Sequence, residues 1–178
     1  AGDIALLPDA LDLPVHSWAA RGGHVQTSYD QPVRRPLRVS VDDGAGACAT
    51  TIYAYGTDAA TLSVNRLVGI SDQSGQRIIT CYEIGGRPVA ETWRFVAAAD
   101  GSLVDWSDAA KVALAPDNWA LARDIDPFGA IIAEHCPDGS VIRRERHADG
   151  SLAAARVEPL GAATPVVAAA DVTYTADC

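Results

Sequence analysis

From residue 37 onwards, apolar and polar residues alternate with a period of two over much of the chain. Leu37-Arg38-Val39-Ser40-Val41 puts its apolar residues at odd positions, the pattern of a half-buried strand, and Asp42-Asp43-Gly44 ends it with turn chemistry. The same reading predicts strands over 49–55, 61–70, 77–84 and 88–98, separated by turn-rich stretches at 56–58, 71–75 and Gly85-Gly86. Beyond Phe128 a meander follows, with strands over 130–136, 140–147 and 151–157, then final short strands over 166–170 and 172–174. Asp-Gly-Ser followed by Leu or Val occurs at 100–103, 138–141 and 149–152. In each, the carboxylate can cap free backbone N–H groups and the glycine accepts a left-handed backbone, so each predicts a hairpin reversal.

Two stretches break the alternation. Residues 1–36 contain Pro8, Pro14, Gly22-Gly23, Pro32 and Pro36, and read as an irregular N-terminal arm. Within 107–125, Ser107 can cap a short helix over 108–114, and Pro116-Asp117 can open a second through Trp119, Leu121 and Ala122. The expected architecture is therefore mainly β: an antiparallel sheet or sandwich-like body with one or two short helices, with α+β as the alternative. The expected organisation is the arm over 1–36 followed by a single disulfide-stapled domain over 37–178. A chain of 178 residues is long enough to bury a substantial core. Its large core candidates are Trp18, Trp93, Trp106 and Trp119.

Charge and composition narrow the function classes. A formal net charge of -9 argues against a nucleic-acid surface. The clusters Arg34, Arg35, Arg38 and Arg143, Arg144, Arg146 read as solvated strand faces balanced by nearby acids. No segment supplies the roughly 20 apolar residues of a membrane-spanning helix, because the longest candidate, 160–170, is broken by Thr164 and Pro165. The chain has no Met and begins Ala1-Gly2-Asp3, as expected after removal of a signal peptide. Together with four cysteines, this predicts a secreted or periplasmic protein of the bacterial envelope. No CxxC pair is present, so Cys48, Cys81, Cys136 and Cys178 are expected to form disulfides. Sequential pairing, Cys48–Cys81 with Cys136–Cys178, is the preferred connectivity of three.

Candidate chemistry is sparse. His16, His24, His135 and His147 lack compact ligand spacing, so neither metal nor cofactor is expected. Glu83, Glu91, Asp105, Asp108 and Glu134 are available carboxylates. Glu91 beside Trp93 would suit sugar hydrolysis, and equally an ordinary sheet surface. GxSxG, GxGxxG and GxxxxGK[ST] are all missing. The leading expectation is a noncatalytic extracytoplasmic binding, inhibitory or structural module. Tyr53, Tyr55, Tyr82, Trp93 and Trp106 are its candidate recognition residues for a protein or glycan partner, since aromatic rings give much contact area at little ordering cost. For the tryptophans, core packing is the competing role. The alternative is a small secreted hydrolase or lyase acting on glycan or peptide. Oligomeric state is left open.

Overall fold

The computed structural model describes residues 4–20, 22–45, 48–97, 103–161 and 164–172. These form a mainly β structure: one 13-stranded antiparallel sheet in which the strands lie side by side in chain order. The strands are β1 (Ile4–Pro8), β2 (Pro14–Ala19), β3 (His24–Tyr29), β4 (Pro36–Asp42), β5 (Cys48–Tyr55), β6 (Leu67–Ser71) and β7 (Gly75–Tyr82). They continue as β8 (Pro88–Phe95), β9 (Trp119–Ile125), β10 (Ile131–His135), β11 (Val141–Arg146), β12 (Leu152–Glu158) and β13 (Val166–Ala169). Among the described residues a single 3-10 helix, Trp106–Lys111, interrupts the series.

One loop design recurs. At Asp9–Leu13, Ala19–Gly23, Glu83–Arg87, Asp126–Ala130, Cys136–Ser140 and His147–Ser151, the first residue's N–H donates to the fifth residue's carbonyl. In the same six loops the fourth residue's N–H donates back to the first residue's carbonyl. That fourth residue has a left-handed backbone: Asp12, then Gly22, Gly86, Gly129, Gly139 and Gly150. This is the three-residue hairpin, a turn closed by one residue at positive φ. Asp138 and Asp149 each reinforce theirs, accepting from the following serine's N–H at 2.9 Å and hydroxyl at 2.6 Å. The reversals expected at 138–141 and 149–152 are therefore present, whereas Asp100, Gly101 and Ser102 of the third copy lie outside the described residues.

Several expected boundaries differ. Strands β1, β2 and β3 occupy the stretch read as an irregular arm. The prolines there do not interrupt strands: Pro8 ends β1, Pro14 opens β2 and Pro36 opens β4, positions where a missing N–H costs no interior ladder bond. The second expected helix is instead β9, whose pairing with β10 through Glu134↔Arg123 and His135↔Ala122 overrides the helical propensity of its alanines and leucine. The helix that does form is capped by the Asp105 carboxylate, accepting from Ser107 N at 2.9 Å, rather than by Ser107 itself. Residues 61–66 form turns, with left-handed Leu62 and Asn65, so the strand expected over 61–70 begins only at Leu67. Val172 is not in a strand, and Tyr174 lies outside the described residues.

By its internal packing the chain divides into two compact units, with parts of 37–178 in each. The first comprises Ala1–Thr57, Ser63–Ile78 and Trp93–Asp117; the second comprises Asp58–Leu62, Ile79–Thr92 and Asn118–Cys178. In the first, Trp106, Thr50 and Ser63 are buried, and the 3-10 helix packs on β5. Ile79, Tyr82, Ala133, Glu91 and Ser140 are the buried residues of the second among those described. These interiors are thin. Large apolar residues stay exposed on β1 and β13 in particular, among them Ile4 (70%), Leu6 (63%) and Val166 (58%).

Candidate functional site

The first unit aligns a row of side chains across four strands. Tyr53 on β5 pairs with Ile70 on β6, and Ile70 pairs with Arg77 on β7. The Arg77 guanidinium then lies over the Trp93 ring of β8, 5.0 Å from its centroid. Ile70, Arg77 and Trp93, with Asp72, Gln76 and Phe95, line a small open cleft. The cleft thus combines aromatic and apolar walls with a cation held against an indole, an arrangement suited to flat or apolar groups.

Of the five aromatic residues expected to form a recognition surface, Tyr53 and Trp93 belong to this row. Tyr55, also on β5, is held elsewhere: its hydroxyl donates to the Pro36 carbonyl at 3.1 Å, and Arg35 stacks on its ring at 4.0 Å. Arg35 is itself fixed by Asp30, its Nη2 2.6 Å from the carboxylate. Burial raises the Tyr55 pKa, and the Arg35 charge only partly opposes this. Trp106 is buried, with Nε1 donating to the Asp72 carbonyl at 2.7 Å, so it anchors the 103–111 segment and offers no surface. Tyr82 is buried in the second unit, where its backbone N–H donates to the Thr61 carbonyl at 3.1 Å. Large aromatic area serves a core as readily as a surface, and both residues have been drawn inward. Among the other tryptophans, Trp18 and Trp119 are partly exposed rather than central to a core.

Of the carboxylates expected as acid or base candidates, Glu83, Glu91, Glu134 and Asp105 are paired with arginines and Asp108 with Lys111. In the second unit Arg123 on β9 donates to Glu91 on β8 at 3.2 Å and to Glu134 on β10 at 3.3 Å. Glu134 also accepts from Arg144 on β11 at 2.6 Å. The result is a ladder of alternating charge across four strands, with Glu91 buried at one end. The Arg144 hydrogen bond holds the Glu134 pKa below the ordinary glutamate value; burial opposes this, and the charges of Arg144 and Arg123 reinforce it. A general acid needs the reverse, a carboxyl kept protonated. Sequence inspection identified these glutamates but could not pair them, because their arginines lie 10 and 32 residues away.

Cys48 is exposed and Cys81 and Cys136 half-buried, and all three are free thiols. The expected Cys48–Cys81 bridge is not formed. The two residues lie on β5 and β7 with β6 between, and two inter-strand spacings of about 4.8 Å exceed the roughly 7 Å limit for bridged Cα atoms. Cys178, the expected partner of Cys136, lies outside the described residues.

The histidines are less scattered than their spacing implies. His16 on β2 and His24 on β3 face each other with Nδ1 and Nε2 2.9 Å apart. Both rings stack with Trp18, at centroid distances of 5.5 and 5.1 Å. The signal for this cluster was His-Ser-Trp at 16–18 followed by Gly22-Gly23-His24, legible only once a hairpin is placed there. His135 Nε2 instead lies 3.1 Å from Asp124.

No family model matches the chain, and no curated protein matches it in sequence. Solved structures do match. The chain is similar to TcdB2-TccC3-TEV over 99% of its length, at TM-score 0.86 and 18% identity. TcdB2-TccC3 matches over 98%, at TM-score 0.87 and 17% identity. The likeness is one of fold. The Photorhabdus luminescens Tc holotoxin pore gives the same result, with TM-score 0.86 and 18% identity over 98% of this chain. This chain spans only 8–9% of the length of those chains. Among the described residues, no helix is long and apolar enough to cross a membrane.

Proposed function

We propose that this chain is a noncatalytic structural and protein-binding module acting outside the cytoplasm, a length of meandering sheet within a larger multi-protein assembly of the toxin type. The observation that carries the reading is the exposure of apolar strand residues at both ends of the sheet order. On β1, Ile4, Leu6 and Leu7 are all more than half exposed, as are Val166 and Val167 on β13. Among the described residues each of these strands has one sheet neighbour, which leaves a row of its backbone donors and acceptors without a strand partner there. Open edges with apolar side chains fit continuation or augmentation by another strand. The resemblance to a small part of the TcdB2-TccC3 chains and of a chain in a Tc holotoxin pore supports the same reading. The arginine-tied carboxylates count against the hydrolase alternative.

Sedimentation velocity over a concentration series tests this reading. The expected result is reversible association, strongly reduced by Leu6→Lys combined with Val167→Lys, since edge lysines oppose strand pairing. A chain that stays monomeric up to its solubility limit, and binds no apolar dye, would contradict the proposal.

A further inference from the structure

We propose that the His16–His24 contact is an acid-sensitive latch on the seam between β2 and β3, kept while the two rings carry at most one added proton and broken by a second. The seam is short. Among the described residues it joins three residue pairs, His16↔Gln26, Ser17↔Val25 and Trp18↔His24, against five between β1 and β2 and six between β3 and β4. His16, Trp18 and His24 share one face of it, because strand partners and residues two apart lie on the same side. His16 Nδ1 and His24 Nε2 are 2.9 Å apart, with ring centroids 5.1 Å apart and planes 10° apart. The rings therefore meet end to end in a single hydrogen bond, and Trp18 stacks with both. At the far end of the seam the Tyr29 hydroxyl donates to the Pro14 carbonyl at 3.1 Å, so the latch governs the end nearer Gly22-Gly23.

In the neutral pair one facing nitrogen donates and the other accepts. A first added proton goes to the donor ring's outward nitrogen. The N–H···N bond survives this, strengthened by the charge, and the imidazolium stays against the Trp18 indole as a cation on a π face. The acceptor ring's outward nitrogen already carries its hydrogen, so a second added proton has only the facing lone pair to take. Two N–H groups then oppose each other across the contact and two like charges share the cluster, so the rings must part. Both rings are half-buried, within reach of solvent protons. The groups facing the cluster do not offset the second charge. They are Ala5 and Leu7 on β1, Gln26 on β3 and, opposite His24, Asp42 on β4. Asp42 is the charged member among the described residues; its carboxylate accepts from Gly44 N at 2.8 Å and balances one imidazolium, not two. Among the described residues β1 pairs with β2 alone, so parting the rings loosens the β1–β2 hairpin as a unit.

The Ala19 N–H donates to the Gly23 carbonyl, so two-residue alternation makes Ser17 and Val25 the hydrogen-bonded pair of the seam. Their amides read the latch. The test measures amide exchange by NMR in the full chain, in dilute solution, at about pH 7.5 and about pH 5, a range that spans histidine protonation. Each rate is divided by the intrinsic rate at its pH, leaving protection alone. Protection of both amides should fall at least about tenfold on acidification, while the amides shared by β4 and β5 keep theirs. In a double variant, His16→Gln with His24→Gln, the fall should vanish, because neither amide side chain takes up a proton in this range. Protection unchanged by acid in the unaltered chain, or an equal fall in the double variant, would overturn the latch. If the double variant fails to fold, ring-nitrogen NMR of the unaltered chain decides. Stepwise proton uptake by the pair, with Ser17 and Val25 losing protection at the second step, supports the latch. Loss at the first step, or two rings titrating independently of each other, overturns it.

Discussion

The two compact units secure their strands by different means. In the first, a large ring does the work: Trp106 is buried, its indole N–H bonds the Asp72 carbonyl, and Gln73 brackets Val104 through Nε2–O and Oε1–N contacts of 2.8 and 2.7 Å. In the second, a ladder of charge does it, Glu91–Arg123–Glu134–Arg144 crossing β8 to β11. The contrast shows that a sheet with a thin interior can be pinned either by one apolar anchor or by a polar network. The two respond differently to perturbation: the anchor to loss of volume, the network to loss of any one partner and to acid.

The largest effect is expected at the anchor. Trp106→Ala should destabilise the first unit by about 3–5 kcal/mol in urea unfolding, through lost burial and the cavity left behind. Trp106→Phe should recover most of that while still losing about 1 kcal/mol for the missing hydrogen bond to Asp72. Equal losses in the two variants would mean that the ring's volume is not what holds the segment.

Arg123→Met comes next, at about 3 kcal/mol, because it removes the guanidinium shared by buried Glu91 and Glu134. Replacing Glu91 by Leu in the same chain should recover part of the loss, and a double-mutant cycle measures the coupling. Additive effects would show that the ladder is not a network.

Two hairpin loops offer a finer comparison. Gly139 and Gly150 occupy the same loop position at φ of 81° and 85°, where an L side chain is strained by about 1–2 kcal/mol. A Cβ on Gly139 would meet the Leu160 side chain at 3.0–3.3 Å, while one on Gly150 meets nothing within 4 Å. Leu160 is exposed and free to swing away, so the two alanine variants should differ by less than about 0.5 kcal/mol. A much larger loss at Gly139 would mean Leu160 is fixed there.

The smallest effect concerns pH. Because the folded pKa of Glu134 is lowered, the unfolded state binds more protons in the acid window. Its contribution is therefore present above the unfolded glutamate value, about 4.3, and lost as pH falls through the lower folded one. Glu134→Gln should flatten that acid-side loss in thermal melts between neutral and acid pH. An unchanged slope would sever Glu134 from the pH response.

Much of the fold was legible because period-two patterning and turn residues are local signals. Leu37 to Val41 and the loops at Gly139 and Gly150 were readable for that reason. The loop at Asp9–Leu13 was not, since Asp12 takes the left-handed position without a glycine to announce it. Ala122 and Leu121 look helical in isolation, and only pairing with β10 makes them strand. The candidate site was harder still. Arg77 over Trp93, Arg123 between two glutamates, and His16 against His24 each depend on cross-strand register, which turn chemistry and tertiary pairing fix together.

Residue-resolved hydrogen exchange as a function of protein concentration tests most directly the claim that the open edges are the binding elements. Backbone amides of β1 and β13 should exchange quickly in dilute solution and gain protection as the chain associates. Those of β4, β5 and β11, flanked on both sides, should be protected throughout. Protection that does not change with concentration, or that is gained on the interior strands while β1 and β13 stay open, would contradict the account.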